Sequence, residues 1–424
     1  MKEYQRYGKR YGKCWDRMGS LFRLEEDEWD HIKAAIERRK NQWETPFYLF
    51  SETKARKNVA ALRRYMGSKV KLAYAMKANP WLVKSLSEDV DYIEVCSEGE
   101  LEICRRHGVP GEKIVLGGVY KGEGMIEKAF GMNVERFCID SKEQLEGIIQ
   151  SAVFMRKHAE VLLRMSSGNQ FGMEEAEAEE CARMCWGRGY SLGNVEITGI
   201  QYYPGTQRSS IRQIQKEIQR LDRWIEWLEE HTECKLNTVE FGAGLGVSYF
   251  ENEDMEEYEE ALRYVSDYAR ELSERYLVVY EAGRIVAAAS GIYVTQVFAR
   301  KRKGEKTVLF CKGGTNHLSY HGGILGIRTP VVKSICADPY GEAGRYMICG
   351  SLCNEGDVMG RDIVLPERNI GPGDSIAFFN AGAYSATASP NLFLAMEMPA
   401  VLMYNQDNDF MQEIRGHFPT YELL

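Results

Sequence analysis

The feature that most constrains this chain is a rhythm. From Pro46 onward, short apolar runs alternate with helical stretches, and the alternation repeats eight times. The runs are Leu72–Met76, Tyr92–Val95, Ile114–Leu116, Phe137–Ile139, Val161–Met165, Val195–Ile200, Val239–Phe241 and Leu277–Tyr280. One intervening helix is plain: Ile211, Ile214, Ile218, Leu221, Ile225 and Leu228 recur at spacings of three and four, which lays an apolar stripe along it. Strands that alternate with helices build parallel sheets, and eight such units suit a closed (β/α)8 barrel. A doubly wound open sheet is the rival. After roughly residue 290 the rhythm stops and strands and turns follow: Ile292–Phe298, Thr307–Phe310, Arg345–Cys349 and Ser375–Phe379. That pattern predicts a C-terminal antiparallel β domain. The expected organisation is a partly helical extension over 1–45, with an amphipathic helix around Trp29 to Trp43, a barrel over 46–290 and a β domain over 291–424.

Length and charge agree with an enzyme of this size. A chain of 424 residues has room for a barrel and a second domain. Its net charge of −8 argues against nucleic-acid binding, which rests on a basic surface. The 11 cysteines are an odd number and contain no Cys-x-x-Cys pair; Cys181 with Cys185 and Cys349 with Cys353 lack accompanying histidines, so no metal site is expected. Many unpaired thiols and no signal peptide read as cytoplasmic, and no uncharged stretch reaches membrane-spanning length.

In a barrel of this kind chemistry sits at the C-terminal ends of the strands. The first run leads into Ala75-Met-Lys77-Ala-Asn79. A lysine there either reaches solvent past a buried strand or serves as an amine that forms a Schiff base. The seventh run leads into Glu240-Phe-Gly-Ala-Gly244-Leu-Gly246, whose glycines let backbone amides approach an anion. The eighth leads into Glu281-Ala-Gly283-Arg284. Its carboxylate is costly if buried alone, and a surface pair of Glu281 with Arg284 is the plain alternative.

Taken together with Cys353-Asn-Glu-Gly-Asp357 and Gly382-Ala-Tyr384, these segments resemble the fold-type III pyridoxal-phosphate decarboxylases that act on diaminopimelate, ornithine and arginine. The resemblance runs from about Pro46 to about Asn405 and implies a pyridoxal-phosphate-binding barrel with a β domain. It further implies that Lys77 carries the cofactor as a Schiff base and that Glu281 keeps the pyridine nitrogen protonated. Gly244, Gly283, Arg284 and Tyr384 would bind the phosphate, and Arg164 would sit near the ring. Cys353, supplied by the second subunit of a homodimer with shared active sites, would protonate the carbon that has lost carbon dioxide.

Several positions depart from the family pattern. Tyr203 stands where a histidine usually stacks on the ring, Thr206 replaces a phosphate-binding serine, and Glu94 lengthens an aspartate. Asn354 follows Cys353 where relatives place an acid that grips a distal amine; Asp357, Phe393 and His317 complete the expected substrate contacts. Segments around Gly313–His317 and Ala388–Phe393 look like a branch that decarboxylates modified or carrier-linked amino acids. The substrate class is therefore an amino acid or its conjugate. The rival functions are a catalytically inactive relative acting as a binding or regulatory protein and a racemase of the same fold. Racemases place an arginine at the pyridine nitrogen, and Glu281 opposes that reading.

Overall fold

Each of the eight apolar runs is a strand, as expected for segments buried on both faces of a parallel sheet. The computed structural model describes residues 23–186, 194–232, 236–251, 253, 255–319, 328–335, 343–365 and 369–424. After a first strand β1 (Phe47–Ser51) come β2 (Lys71–Ala75), β3 (Tyr92–Val95), β4 (Ile114–Leu116) and β5 (Arg136–Ile139). They are followed by β6 (Ala159–Arg164), β7 (Val195–Tyr202), β8 (Thr238–Phe241) and β9 (Leu277–Ala282). Strands β2 to β9 are parallel and form a closed barrel, β9 returning to β2 with Ala73 opposite Glu281. The rival open sheet is excluded. Helix Ile211–His231 buries Ile214, Ile218, Leu221, Trp224, Ile225 and Leu228, the stripe read from the sequence.

The chain divides into two units. One contains Val59–Gly246 and Glu256–Gly283, which carry the whole barrel; the other contains 23–58, Val247–Met255 and Arg284–Leu424. The second unit holds a nine-stranded sheet. Its further strands are β10 (Gly291–Lys303), β11 (Lys306–Cys311), β12 (Val332–Ile335), β13 (Gly344–Cys349), β14 (Val358–Leu365), β15 (Ser375–Phe378), β16 (Ala400–Asn405) and β17 (Phe410–Arg415). The main path runs β14-β13-β11-β10-β1-β16-β17, and β15 pairs with both β10 and β12.

The sheet refines three expectations. Most pairings are antiparallel, but β1 runs parallel to β16 and β11 parallel to β13, so the sheet is mixed. Parallel partners need a long connection, and both pairs have one. Segment Phe47–Ser51, placed with the barrel by the sequence rhythm, is a fully buried strand of this sheet because it pairs on both sides. The early helix spans Glu26–Arg38 and stops short of Trp43. Its apolar stripe of Trp29, Ile32, Ala35 and Ile36 packs in the sheet's core with Leu49, Val294 and Leu402, whereas Arg39, Lys40 and Asn41 offer nothing to continue it. Among the described residues no helix is long and apolar enough to cross a membrane.

Candidate active site

A short turn places Lys77. Strand β2 ends at Ala75, and Met76–Ala78 form one 3-10 turn that Asn79 closes by donating its backbone N–H to the Met76 carbonyl. The Tyr74 hydroxyl donates to the Asn79 carbonyl at 2.8 Å, and the Asn79 side chain accepts from the Trp81 amide at 3.0 Å. This scaffold aims the Lys77 amine into the barrel, where Nζ lies 3.0 and 3.1 Å from the two oxygens of Glu94. The solvent-seeking lysine considered above is thus replaced by one tied to a buried acid. Full burial works to raise the Glu94 carboxyl, but the Lys77 charge and hydrogen bonds overcome it and hold the group below its ordinary value. The Lys77 amine also stands 5.6 Å from the centroid of the Tyr203 ring.

Glu281 is a second buried acid of the same barrel, not half of a surface pair. Its Oε1 accepts a 2.7 Å hydrogen bond from Gln201 Nε2. Burial, then the nearby Glu94 charge, push its carboxyl up to about 7 against the opposing pull of Lys77. Gly242 allows this crowding: a Cβ there would stand 2.9 Å from Tyr203 Cδ2 and 3.2 Å from Glu281 Oε2. The barrel therefore brings Lys77, Glu94, Tyr203 and Glu281 together. Arg164, at the end of β6, donates to Asp140 Oδ2 at 2.9 Å and lies 4.9 Å from the Phe171 ring.

The glycine-rich loop after β8 is laced to the loop after β7. Arg208 donates its amide to the Gly244 carbonyl and accepts from the Gly246 amide, each at 2.9 Å. Gly244 has φ +65°, and a Cβ on it would overlap the Gly205 carbonyl oxygen. Only glycine allows this close approach. The Thr206 hydroxyl is engaged with the Tyr203 hydroxyl. Gly283 packs against Ala75 and Ala78, next to the Lys77 turn.

The remaining candidates belong to the sheet unit. Buried Arg284 lies between two aromatic rings, 4.6 Å from Tyr384 and 5.5 Å from Tyr249, and donates to the Tyr249 hydroxyl. Cys353 is exposed on the loop between β13 and β14. Asp357, expected among the substrate contacts, anchors that loop. Its Oδ1 accepts from the Thr315 amide and hydroxyl, its Oδ2 from the Leu352 amide at 2.8 Å, and Gly314 and Gly350 crowd around it. Asn354 Oδ1 accepts from the Gly356 amide at 2.9 Å, so part of its side chain closes its own turn. His317, a second expected substrate contact, is a core residue 1% exposed, with Nδ1 3.2 Å from the Tyr293 hydroxyl and its carbonyl accepting from Tyr48. Burial lowers its imidazole to about 4. Phe393 lies on an exposed apolar tip with Leu392 and Leu394.

Sequence reasoning gave no role to two further barrel residues. Glu240 is fully buried in β8, and Lys121, 9% exposed, donates to the Gly118 carbonyl and to Gln144. Burial pulls the Lys121 amine down to about 8. The signal for Glu240 was present: a carboxylate inside the apolar run Val239–Phe241, as Glu94 is inside Tyr92–Val95.

Comparison with known proteins gives a consistent result. A family described as "Pyridoxal-dependent decarboxylase, pyridoxal binding domain" matches residues 52–288, more than half of the chain. A diaminopimelate decarboxylase of Aquifex aeolicus is 27% identical over 85% of this chain and 87% of its own length. An L-glutamyl-[BtrI acyl-carrier protein] decarboxylase of Niallia circulans is also 27% identical, over 88% of this chain and 91% of its own. Among solved structures, diaminopimelate decarboxylase of M. jannaschii in complex with L-lysine superposes with a TM-score of 0.76 at 23% identity, covering 90% of this chain and 92% of that one. That structure shares the fold.

Proposed function

The chain belongs to the pyridoxal-dependent decarboxylases, pyridoxal-phosphate-dependent carboxy-lyases, and from that premise we propose that it decarboxylates an amino acid or amino-acid conjugate with Lys77 and Cys353 as its catalytic residues. The observation that carries this reading is the Lys77 amine held at a barrel strand end by Glu94, beside the Tyr203 ring and in the same interior as Glu281.

The residues fit the cofactor. Lys77 would hold it, and Gly242 leaves between Tyr203 and Glu281 the room that any side chain would fill. Gly244, Thr206, Gly283, Arg284 and Tyr384 are the donors proposed for its phosphate, with Arg164 near the ring. When bound, pyridoxal phosphate supplies the electron sink into which the bond to the lost carboxyl group collapses. Glu281 would hold the proton on the ring nitrogen, a task that requires it to be anionic when the cofactor is present. Glu94 orients the Lys77 amine and is the acceptor nearest to its protons. Tyr203 would lie against one side of the site. Cys353 Sγ would deliver one proton to the α-carbon as carbon dioxide leaves. Its exposure on a sheet-unit loop, with the exposed tip Leu392–Phe393–Leu394, supports delivery to the barrel of a second subunit in a homodimer.

Asn354 shapes the substrate proposal. An uncharged side chain cannot form the ion pair that grips a distal amine, a loss of roughly 1.5–3 kcal/mol for a hydrogen bond to a charged group. We therefore infer a substrate whose distal end is not a simple amine held by an acid, and the carrier-linked glutamyl substrate named for one relative is in keeping with it. The test is carbon dioxide release from diaminopimelate, ornithine, lysine, arginine, glutamate and a glutamyl thioester. The thioester or another conjugate should be turned over best. Turnover of diaminopimelate or ornithine at an ordinary rate, about 1–1000 per second, would overturn the substrate proposal.

A further inference from the structure

Glu240 is a charged-type side chain with no conventional partner in the middle of the barrel. Neither of its oxygens is reached by an N–H or hydroxyl donor among the described residues, and the charge that acts on it most is the Glu281 carboxyl. Strand register explains the meeting. Glu240 stands opposite Gln201 on β7 and opposite Val279 on β9, and Glu281, two residues beyond Val279, faces the same side. Two carboxylates cannot both be charged at such a contact in a dry interior, and a carboxyl pair that meets this way shares one proton. Gln201 adds its amide N–H to the Glu281 side of the pair.

We propose that Glu240 is a positioning residue, the proton-sharing partner of Glu281, which gives the pair one negative charge and fixes the Glu281 carboxylate for the cofactor's ring nitrogen. This rests on the role assigned above to Glu281. The electrostatic setting is consistent with it. Burial, then the Glu281 charge, raise the Glu240 carboxyl well above its ordinary value, with Glu94 adding to the rise and Arg136 opposing it. On the Glu281 side, Glu94 raises and Lys77 lowers; Arg164, Tyr203 and the buried Cys138 thiol also feel these acids. An aspartate or leucine at position 240 would leave Glu281 with Gln201 alone.

The consequence for the apoprotein has a definite sign. A carboxyl whose folded value lies above its unfolded one contributes stability at low pH that is lost as pH rises toward the folded value. The apoprotein should therefore become easier to denature between pH 5 and pH 9 through this pair. Glu240→Gln keeps a donor for Glu281 but cannot ionise, and Glu240→Ala removes the donor. The experiment combines urea denaturation of the three apoproteins over that pH range with pyridoxal-phosphate titration of each at pH 7. The expected result is a shallower alkaline loss of stability in Glu240→Gln, with cofactor affinity within about threefold of the unsubstituted chain, and an affinity about tenfold weaker in Glu240→Ala. A pH dependence in Glu240→Gln parallel to that of the unsubstituted protein would overturn the proposal, as would equal affinity losses in both variants. If the unsubstituted protein binds no pyridoxal phosphate, the role of Glu281 falls, while the pH comparison still decides whether the pair shares a proton.

Discussion

The barrel interior and the Cys353 loop solve opposite problems. In the barrel, Glu94, Glu240 and Glu281 are acids forced into a dry place by strand register, and they are kept there by Lys77, Gln201 and one another. In the sheet unit the candidate proton donor is exposed, and a buried acid, Asp357, ties down the loop that carries it. Around Lys77 the barrel buries the candidate acids themselves, whereas around Cys353 it is the supporting acid that is buried. A site built the first way is rigid by default, whereas one built the second way depends on a single anchor. The two units should also respond to pH in opposite directions, because one buries raised carboxyls and the other a neutral histidine.

The sharpest way to break this comparison is at the exposed end. Cys353→Ala should lower decarboxylation by about 10²–10⁴-fold, the range for losing one proton-transfer group, and leave cofactor affinity unchanged. Steady-state kinetics with a cofactor titration separate the two. Mixing the Cys353→Ala chain with Lys77→Ala should regain activity at one site in two if each site is shared between subunits. A mixed dimer that assembles and stays dead would place both residues in one chain's site.

Next in size is the pH response of the sheet unit. His317 is lowered from 6.5 to about 4, a shift on the order of 3 kcal/mol. A base with a lowered folded value contributes stability that is present above its unfolded value and lost as pH falls through the folded one. Denaturation curves from pH 7 to pH 4 should show that loss, and His317→Gln should flatten it. Smaller still is the anchor. Asp357→Ala leaves the Thr315 and Leu352 amides without their acceptor and should cost about 1–3 kcal/mol of stability. The same variant should lower the turnover rate and spare cofactor binding, because the Cys353 loop loses its hold.

What could be read from the sequence followed from the same contrast. The barrel strands were legible to within about two residues at either end, because a strand buried on both faces is a mostly apolar run. Lys77 and Glu281 stood out because charge at the end of such a run is unusual. Glu240 carried the same signal and gained meaning only when β7, β8 and β9 were set in register. The sheet was harder. Strand β14 contains Gly360, Arg361 and Asp362 and is irregular where it pairs with β13, and β1 finds its parallel partner β16 some 350 residues along the chain. No local pattern announces a pairing across that distance. Asp357 and His317, expected among the substrate contacts, are buried and hydrogen-bonded within the sheet unit, and a polar residue near a reactive one looks alike in sequence whether it faces the substrate or the core.

The central claim is that Lys77 is the amine that holds the cofactor, and the barrel contains its own control. Lys121 is a buried barrel lysine, 9% exposed, whose burial brings its amine down to about 8, so it too is chemically able to react with an aldehyde. Reducing the cofactor-loaded protein with borohydride, digesting it and sequencing the labelled peptide by mass spectrometry distinguishes the two. The account predicts the label on Lys77, within the segment Ala73–Asn79, and none on Lys121. A label on Lys121, or a Lys77→Ala protein that is labelled as fully as the unsubstituted one, would contradict it.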